Sequence, residues 1–535
     1  MRRALLSALT ATLFLVLAGC GDDDGGSGGG GTKTPLPLIV KTASGEIEGA
    51  LSEETRVFLG IPYAEPPVGP LRFKPPAPHA PWAERFQAFT KGRFCAQPTP
   101  VDGTYAEASG EDCLTLNVWA PAFSDASDPP SGRPVMVWIH GGGFKVGSGG
   151  DSAYDGRALS EATGTVVVTI NYRLGVFGFL GLPELKAEDP QYPSSGNYGI
   201  DDQRAAFRWV KENAPAFGGD PERITIFGES AGGASVCQHL VSPKSAGLFS
   251  RAIIESGPCD LVMNEPAAFT RGGELLTALG CSGAGALGCL RGKSTAELIV
   301  ALTDGGFGVP NGEPNWYPVV DGNALPDRPS ALLASGQVQR VPTILGTNSE
   351  EASLFFILGD TTIADDPAFL AFVEDLVPGR GADIVAQYPP SEYGSAQDAA
   401  IAAVGDAGFV CPTRRAARGL AAAGAPTFLY HFEYAPTSLF GDIGAYHSSE
   451  IKYVLGNPGQ LTPLPLTDEE LALSHSIMGY WQSPEAPPAY AAAPFAWPPY
   501  RAETDEHLVL DLTISKGSAL RRAQCDFWDG VPLPE

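Results

Sequence analysis

Apolar positions in this chain fall into short unbroken runs rather than strict alternation. PVMVWIH (Pro134–His140), TVVVTI (Thr165–Ile170), RITIF (Arg223–Phe227) and RAIIES (Arg251–Ser256) are of this kind, as are VPTILG, FLYHFEY and HLVLDL further on. Such runs predict strands buried on both faces, as in a parallel sheet. Between them the period changes. DQRAAFRWVKENAPAF places Ala206, Phe207, Trp209 and Val210 at helical spacing, and DEELALSHSIMGYW also reads as a helix. Alternation of the two patterns predicts an α/β class, with a large, mostly parallel central sheet carrying helices on both faces and long insertions. No internal repeat is visible. No linker-like stretch occurs after about residue 40, so residues 37–535 read as one domain, against a soft prior of ~100–200 residues per domain.

The N-terminus breaks this pattern. Arg2 and Arg3 precede an apolar stretch, Ala4 to Ala18, that ends in LAGC at Cys20. Such a stretch is short for a bilayer span, which takes ~20 residues. It reads as an export signal, residues 1–20, whose small residues before Cys20 look like a bacterial lipobox, with lipid attached to the Cys20 thiol. GDDDGGSGGGGTKT follows, so residues 21–36 read as a Gly/Asp-rich flexible tether. The expected location is the bacterial cell envelope, exported and lipid-anchored, facing the periplasm or the cell surface, with the lipid as the only membrane contact.

Charge and cysteine content narrow the partners. The 535 residues carry a formal net charge of -26, which repels nucleic acid and anionic headgroups, so polynucleotide partners are discarded. Of nine cysteines, eight remain without Cys20. In an oxidising compartment these can form bridges. None has zinc-finger spacing, so no metal is expected, and no cofactor is implied. Spacing alone does not fix the pairing.

The chemistry begins at RITIFGESAGGAS (Arg223–Ser235). Gly228-Glu229-Ser230-Ala231-Gly232 fits G-x-S-x-G between a strand and a small-residue helix start. In that context the Ser sits on a turn too sharp for bulky neighbours and is exposed near the helix N-terminus. A Ser hydroxyl needs a base to take its proton. Of seven histidines, His79 lies in a Pro-rich stretch and His140 ends a strand. His239 shares the helix of Ser230 and points away, His431 reads as packed in a strand, His475 is helical and His507 opens a strand. His447, in the loop GDIGAYHSSE, is the candidate base. An imidazole needs a carboxylate to fix its tautomer, in the order Ser, acid, His for this architecture. Glu350 and Glu351, just past VPTILG, compete for that role, and position alone does not separate them. HGGGF (His140–Phe144) and the N–H of Ala231 are the candidate oxyanion donors.

Several long motifs, in order, resemble the type-B carboxylesterases, the carboxylesterase and cholinesterase branch of the α/β-hydrolases. They are FLGIPYAEPPVGPLRF, EDCLTLNVWAP, FGGDPERITIFGESAGG and the terminal CDFWD. The resemblance runs from about Val40 to the C-terminus. It implies the α/β-hydrolase fold and a serine hydrolase that cleaves small-molecule carboxylic esters through an acyl-enzyme. Within it, GTNSEEA matches the family's acid segment at Glu351 and not Glu350, with Ala352 in place of a Gly. Ser230, Glu351 and His447 are then the catalytic residues, and Gly142, Gly143 and Ala231 the oxyanion donors. The resemblance also implies the bridges Cys95–Cys113, Cys281–Cys289 and Cys411–Cys525, with Cys237 and Cys259 free, and the ion pairs Arg72–Glu111 and Arg173–Asp202. Two departures stand out. The family pattern between Trp481 and Trp497 is absent. The loop Ala96–Asp112 also lacks the Trp that cholinesterases carry there, with Tyr105 as its single aromatic residue. A lipase or peptidase would use the same machinery, and a non-catalytic adhesion relative would lack the Ser. With Ser, acid, His and glycine loop all present, ester hydrolysis is the expected activity.

Overall fold

The computed structural model describes residues 33–99, 105–124, 132–302, 316–459, 461–483 and 495–531. The export signal, Cys20, most of the tether, residues 484–494 of the departing segment and the last four residues lie outside them. Backbone pairing begins at Thr34–Pro35, against Phe123–Ser124, inside the stretch that composition assigns to the tether.

An eleven-stranded sheet forms the centre. In chain order its strands are β1 (Ala50–Ser52), β2 (Thr55–Pro62), β3 (Thr115–Pro121), β4 (Arg133–Ile139), β5 (Val166–Ile170) and β6 (Gly219–Glu229). They continue as β7 (Arg251–Glu255), β8 (Thr343–Asn348), β9 (Thr427–Phe432), β10 (Glu506–Leu510) and β11 (Ser515–Ser518). The spatial order is β11-β10-β9-β8-β7-β6-β4-β5-β3-β2-β1. β4 to β10 are mutually parallel, as the unbroken apolar runs predict. β1 to β3 at one edge and β11 at the other pair antiparallel, so the sheet is mixed.

Side chains on the parallel strands alternate between two cores. On β4, Val135, Val137 and Ile139 enter one core while Met136 and Trp138 enter the other. The first core is closed by helix α1 (Tyr198–Asn213), with Ala206, Phe207, Trp209 and Val210 buried as their spacing predicts, and by α2 (Ala231–Val241). A third cluster includes residues of α3 (Ser353–Leu358), α4 (Ala396–Gly405) and α5 (Cys411–Ala422). The second core is closed by α6 (Ile451–Leu455) and α7 (Asp468–Gln482). Capping of α7 is legible in sequence: Thr467 accepts from the Glu470 N–H and the Glu470 carboxylate reaches back to the Thr467 N–H.

Arg72 and Glu111 meet in two hydrogen bonds of 2.7 and 2.6 Å, and Arg173 and Asp202 in two of 2.7 Å, the second pair buried. Cys95–Cys113, Cys281–Cys289 and Cys411–Cys525 are bonded as the resemblance implies. The expectation that Cys237 and Cys259 stay free is corrected: they form a fourth disulfide. Cys237 lies on α2 and Cys259 in the loop after β7, elements that β6–β7 pairing brings side by side although the residues stand 22 apart in sequence. Trp481 and Trp497 flank the departing segment with ring centroids 6.2 Å apart, and Trp497 Nε1 donates to the Leu429 carbonyl.

Candidate functional site

The site lies at the carboxyl ends of β4, β6, β7 and β8, the usual edge for a ligand in a parallel α/β sheet. β6 ends at Glu229 and α2 starts at Ala231, which leaves Ser230 alone to turn the chain. Its backbone stands at φ 56°, ψ -122°, a sparsely populated conformation that typically costs ~1–3 kcal/mol. The two glycines of the motif make the turn possible. A Cβ on Gly232 would come within 2.0 Å of the Ile139 carbonyl oxygen, and one on Gly228 within 2.5 Å of the same atom.

The glycine loop after β4 abuts this turn. A Cβ on Gly141 would lie 3.1 Å from the Ser230 Cβ. Gly142 and Gly143 both have positive φ, 101° and 61°. Gln97 grips the loop by exchanging two 3.0 Å hydrogen bonds with the Gly147 backbone, which ties it to the segment closed by Cys95–Cys113. His140 is buried and stacked on Tyr172, and burial pushes its pKa down to about 4, so it is a neutral packing residue. His239 and His431 are likewise buried, His239 between Ser245 and Gln203.

The structure separates the two candidate acids. Glu351 is 1% exposed, and its Oε2 lies 2.7 Å from His447 Nδ1. Its Oε1 accepts from the Ser256 hydroxyl at 2.6 Å and the Asn348 N–H at 2.8 Å, so the carboxylate is held from both sides. Glu350 points elsewhere. It is half-buried, accepts from the Ala445 N–H at 3.1 Å, and its own N–H donates to the Ala445 carbonyl at 3.0 Å. Glu350 thus anchors the loop that carries His447. Ala352, which stands where the family has Gly, has φ -81°, so no left-handed backbone is needed there.

Three further buried acids surround this pair, and sequence reasoning assigned none of them. Glu229 and Glu255 are register partners on neighbouring parallel strands, so they project from one face. Glu255 is followed across the sheet by Gly346 and then Tyr430. A Cβ on Gly346 would lie 2.3 Å from the Tyr430 ring, which therefore lies over that gap. The Trp481 indole N–H donates to Glu255 at 2.8 Å, and the Asn348 amide donates to Glu450 at 2.6 Å. Burial raises the pKa of Glu229, Glu255 and Glu450, and their mutual proximity pushes Glu255 and Glu450 further up. The one signal in the sequence was an acid ending each of two apolar strands, GE at 228–229 and IIE at 253–255.

His447 is 5% exposed. Burial is the largest influence on it and lowers its pKa, but Glu229 and Glu351 together outweigh burial and raise it. Its Nε2 lies 3.0 Å from Glu229 Oε1, yet outside hydrogen-bonding alignment. Two aromatic rings complete its surroundings. Phe355 and Phe409 lie 4.9 and 4.7 Å from the imidazole, and stack on each other at 5.7 Å. Such a site offers a hydroxyl on a strained turn, an imidazole oriented by a carboxylate, and backbone donors from a glycine loop and a helix start.

A model described as the carboxylesterase family matches residues 37–528. An acetylcholinesterase of Bungarus fasciatus is 34% identical over 539 residues, covering 92% of this chain and 86% of its own. A para-nitrobenzyl esterase of Bacillus subtilis (strain 168) is 36% identical over 485 residues, covering 89% of this chain and 95% of its own.

Proposed function

The chain belongs to the carboxylesterase family and is a carboxylic-ester hydrolase, and from that premise we propose that Ser230, Glu351 and His447 form its catalytic triad. The observation that carries the reading is the 2.7 Å contact between His447 Nδ1 and a Glu351 carboxylate fixed by Ser256 and Asn348, beside the strained turn at Ser230. Glu351 keeps the proton on Nδ1, which leaves Nε2 as the base. Ser230 Oγ attacks the ester carbonyl carbon as His447 Nε2 takes its proton. The N–H groups of Gly142, Gly143 and Ala231 stabilise the oxyanion. The carbon–oxygen bond to the alcohol then breaks, and His447 returns the proton to the leaving oxygen. Water attacks the acyl-enzyme by the same route, releasing the acid and restoring Ser230. A fluorophosphonate probe should add one phosphonyl group per chain, and peptide mass mapping should place it on Ser230. Phosphonylation of another serine would overturn the assignment.

The alcohol side of the site is not tuned for choline. The first-disulfide loop contributes no Trp, and Tyr105, its single aromatic residue, is tied by its hydroxyl to the Ser109 carbonyl at 2.8 Å. A cation–π contact contributes ~0.5–2 kcal/mol, which is up to about 30-fold in specificity. Without it, a choline ester should do no better than its neutral carbon isostere. The acidic surface attracts any cation at long range, but that field is screened beyond ~10 Å at 0.1 M salt. Any cation preference at low salt should therefore vanish by roughly 0.3 M. The check is kcat/KM for butyrylcholine and its neutral isostere at both salts. A preference of about tenfold or more that survives high salt would sink this substrate reading.

Export with lipid attachment at Cys20 is the proposed location. It is supported by Arg2, Arg3, the apolar run and LAGC, and by four disulfides, which suit an oxidising compartment. Labelled palmitate fed to a bacterial expression host should enter the wild type and not Cys20→Ala. Secretion of an unlipidated wild-type chain would refute the anchor.

A further inference from the structure

The glycine loop after β4 folds back on itself and closes at Gly147. The Gly142 carbonyl accepts from the N–H groups of Lys145 and Val146, both at 3.0 Å. A Cβ on Gly142 would lie 2.3 Å from the Val146 carbonyl oxygen. One on Gly147, whose φ is 114°, would lie 2.4 Å from His140 Nδ1 and 2.7 Å from the Gly141 carbonyl oxygen. Gly147 therefore packs on the residues that precede Gly142, with no slack between the two ends of the turn. Displacing Gly147 displaces the turn that carries the Gly142 and Gly143 N–H groups.

A side chain from outside the loop holds Gly147 in place. Gln97 Oε1 accepts from the Gly147 N–H at 3.0 Å, and Gln97 Nε2 donates to the Gly147 carbonyl at 3.0 Å and to the Cys95 carbonyl at 2.9 Å. Both amide hydrogens and the amide oxygen are used, and one orientation of the amide alone satisfies all three contacts. Gln97 is buried, so water does not compete for them. Two residues further on, Asn171 grips the loop in the same manner. Its Oδ1 accepts from the Ser148 hydroxyl and the Gly149 N–H, each at 2.9 Å, and its Nδ2 donates to the carbonyls of Arg93 at 2.8 Å and Cys113 at 3.1 Å. The end of the glycine loop is thus tied to the carbonyls of both residues of the Cys95–Cys113 bridge.

We propose that Gln97 is a positioning residue for the oxyanion hole: its amide clamps Gly147 and through it fixes where the Gly142 and Gly143 N–H groups stand. The inference rests on the triad and the oxyanion donors read above. Donors of this kind act on charge that develops in the transition state, so their displacement is felt in kcat and in the binding of tetrahedral adducts, and little in the binding of substrate.

The test uses Gln97→Met, which keeps the length and loses both Gly147 bonds, and Gln97→Asn, which leaves the amide one carbon short. Both are made in the full chain and assayed with an acetate ester, with active-site titration and Tm as controls. Gln97→Met decides where it folds, and Gln97→Asn where it does not. Misplacing a group at the reacting centre by about 1 Å can cost ~10²-fold. The variant should therefore lower kcat by about 10–100-fold with KM within about threefold. The readout that separates positioning from general damage is an alkyl trifluoromethyl ketone set against the matching trifluoromethyl carbinol. Ser230 Oγ adds to the ketone carbon, its proton passes to His447, and the ketone oxygen becomes an oxyanion in the hole. The carbinol has no carbonyl to attack. Ki for the ketone should rise by about the factor lost in kcat/KM, while Ki for the carbinol stays within about threefold. A merely structural role would lower Tm or weaken both inhibitors alike. Unimpaired kcat, a loss expressed in KM alone, or equal losses for ketone and carbinol would overturn the inference. Ser230→Ala is assayed alongside: inactive Ser230→Ala with an unimpaired Gln97 variant overturns this inference alone. Active Ser230→Ala, or a wild type that binds the ketone no better than the carbinol, overturns the reading of the site with it.

Discussion

Ser230→Ala is expected to lower kcat for simple esters by on the order of 10⁶-fold while leaving the fold and Tm unchanged. The residue removed is a single hydroxyl. The Cβ that packs beside Gly141 is retained, and Ala must adopt the same φ of 56° that Ser already tolerates. The strain of the turn is thus common to both forms. Without the nucleophile, the oxyanion donors and substrate binding can still supply a residual ~10³–10⁴-fold over water. A steady-state assay with a chromogenic ester, with Tm measured in parallel, checks both halves. Turnover within about tenfold of wild type in a folded Ser230→Ala would remove Ser230 from the mechanism, because no triad nucleophile is lost so cheaply.

The elbow at Ser230 was legible because its requirement is steric and local. Gly228 and Gly232 are demanded by contacts with one carbonyl oxygen, and that demand is written within five consecutive residues. The parallel core was legible for a similar reason: a strand buried on both faces is apolar almost throughout, as Val166–Ile170 is, with Thr169 its one polar residue and that hydroxyl satisfied by the Gly149 carbonyl. The antiparallel edges escaped notice because direction is set by connections, and short edge strands such as Ala50–Ser52 carry little pattern of their own. The Cys237–Cys259 bridge escaped because it depends on which strand lies beside β6, a fact of topology that spacing does not encode. Glu229, Glu255 and Glu450 fail the same way. Glu229 and Glu255 each look like an ordinary polar end to an apolar run and Glu450 like a polar helix start, and only register shows that Glu229 and Glu255 are neighbours on one face. Phe409 is the furthest from view, since it meets the imidazole from a π-helical turn, Asp406–Val410, that nothing in DAGFVCP announces.

The pair Glu350 and Glu351 gives the sharpest contrast between neighbours. Glu351→Gln should cost ~10⁴-fold in turnover, the scale seen when the acid of a serine protease becomes an amide. The cause lies in which atoms can donate. A carboxylate only accepts, so the His447 Nδ1 it faces must carry the proton and Nε2 is left free as base. An amide can turn its NH₂ toward Nδ1 and stabilise the opposite tautomer, with the proton on Nε2, where it blocks attack. The amide also receives two donors, the Ser256 hydroxyl and the Asn348 N–H, which claim its one carbonyl oxygen and turn the NH₂ toward His447. Local geometry thus reinforces the wrong tautomer. Glu350→Gln keeps what that residue does, because an amide oxygen still accepts from the Ala445 N–H and the backbone link to Ala445 is untouched. Its cost should be a few-fold at most, of the order of one weakened hydrogen bond, ~1 kcal/mol. Glu350→Ala removes the side-chain acceptor and leaves the His447 loop held there by the backbone bond alone, so it should lie between the two. The measurement is kcat/KM for one ester across the three variants, with a pH profile for each. Equal losses in Glu350→Gln and Glu351→Gln would mean that the carboxylate contacting His447 is not what orients it, and the assignment of the acid would have to be abandoned.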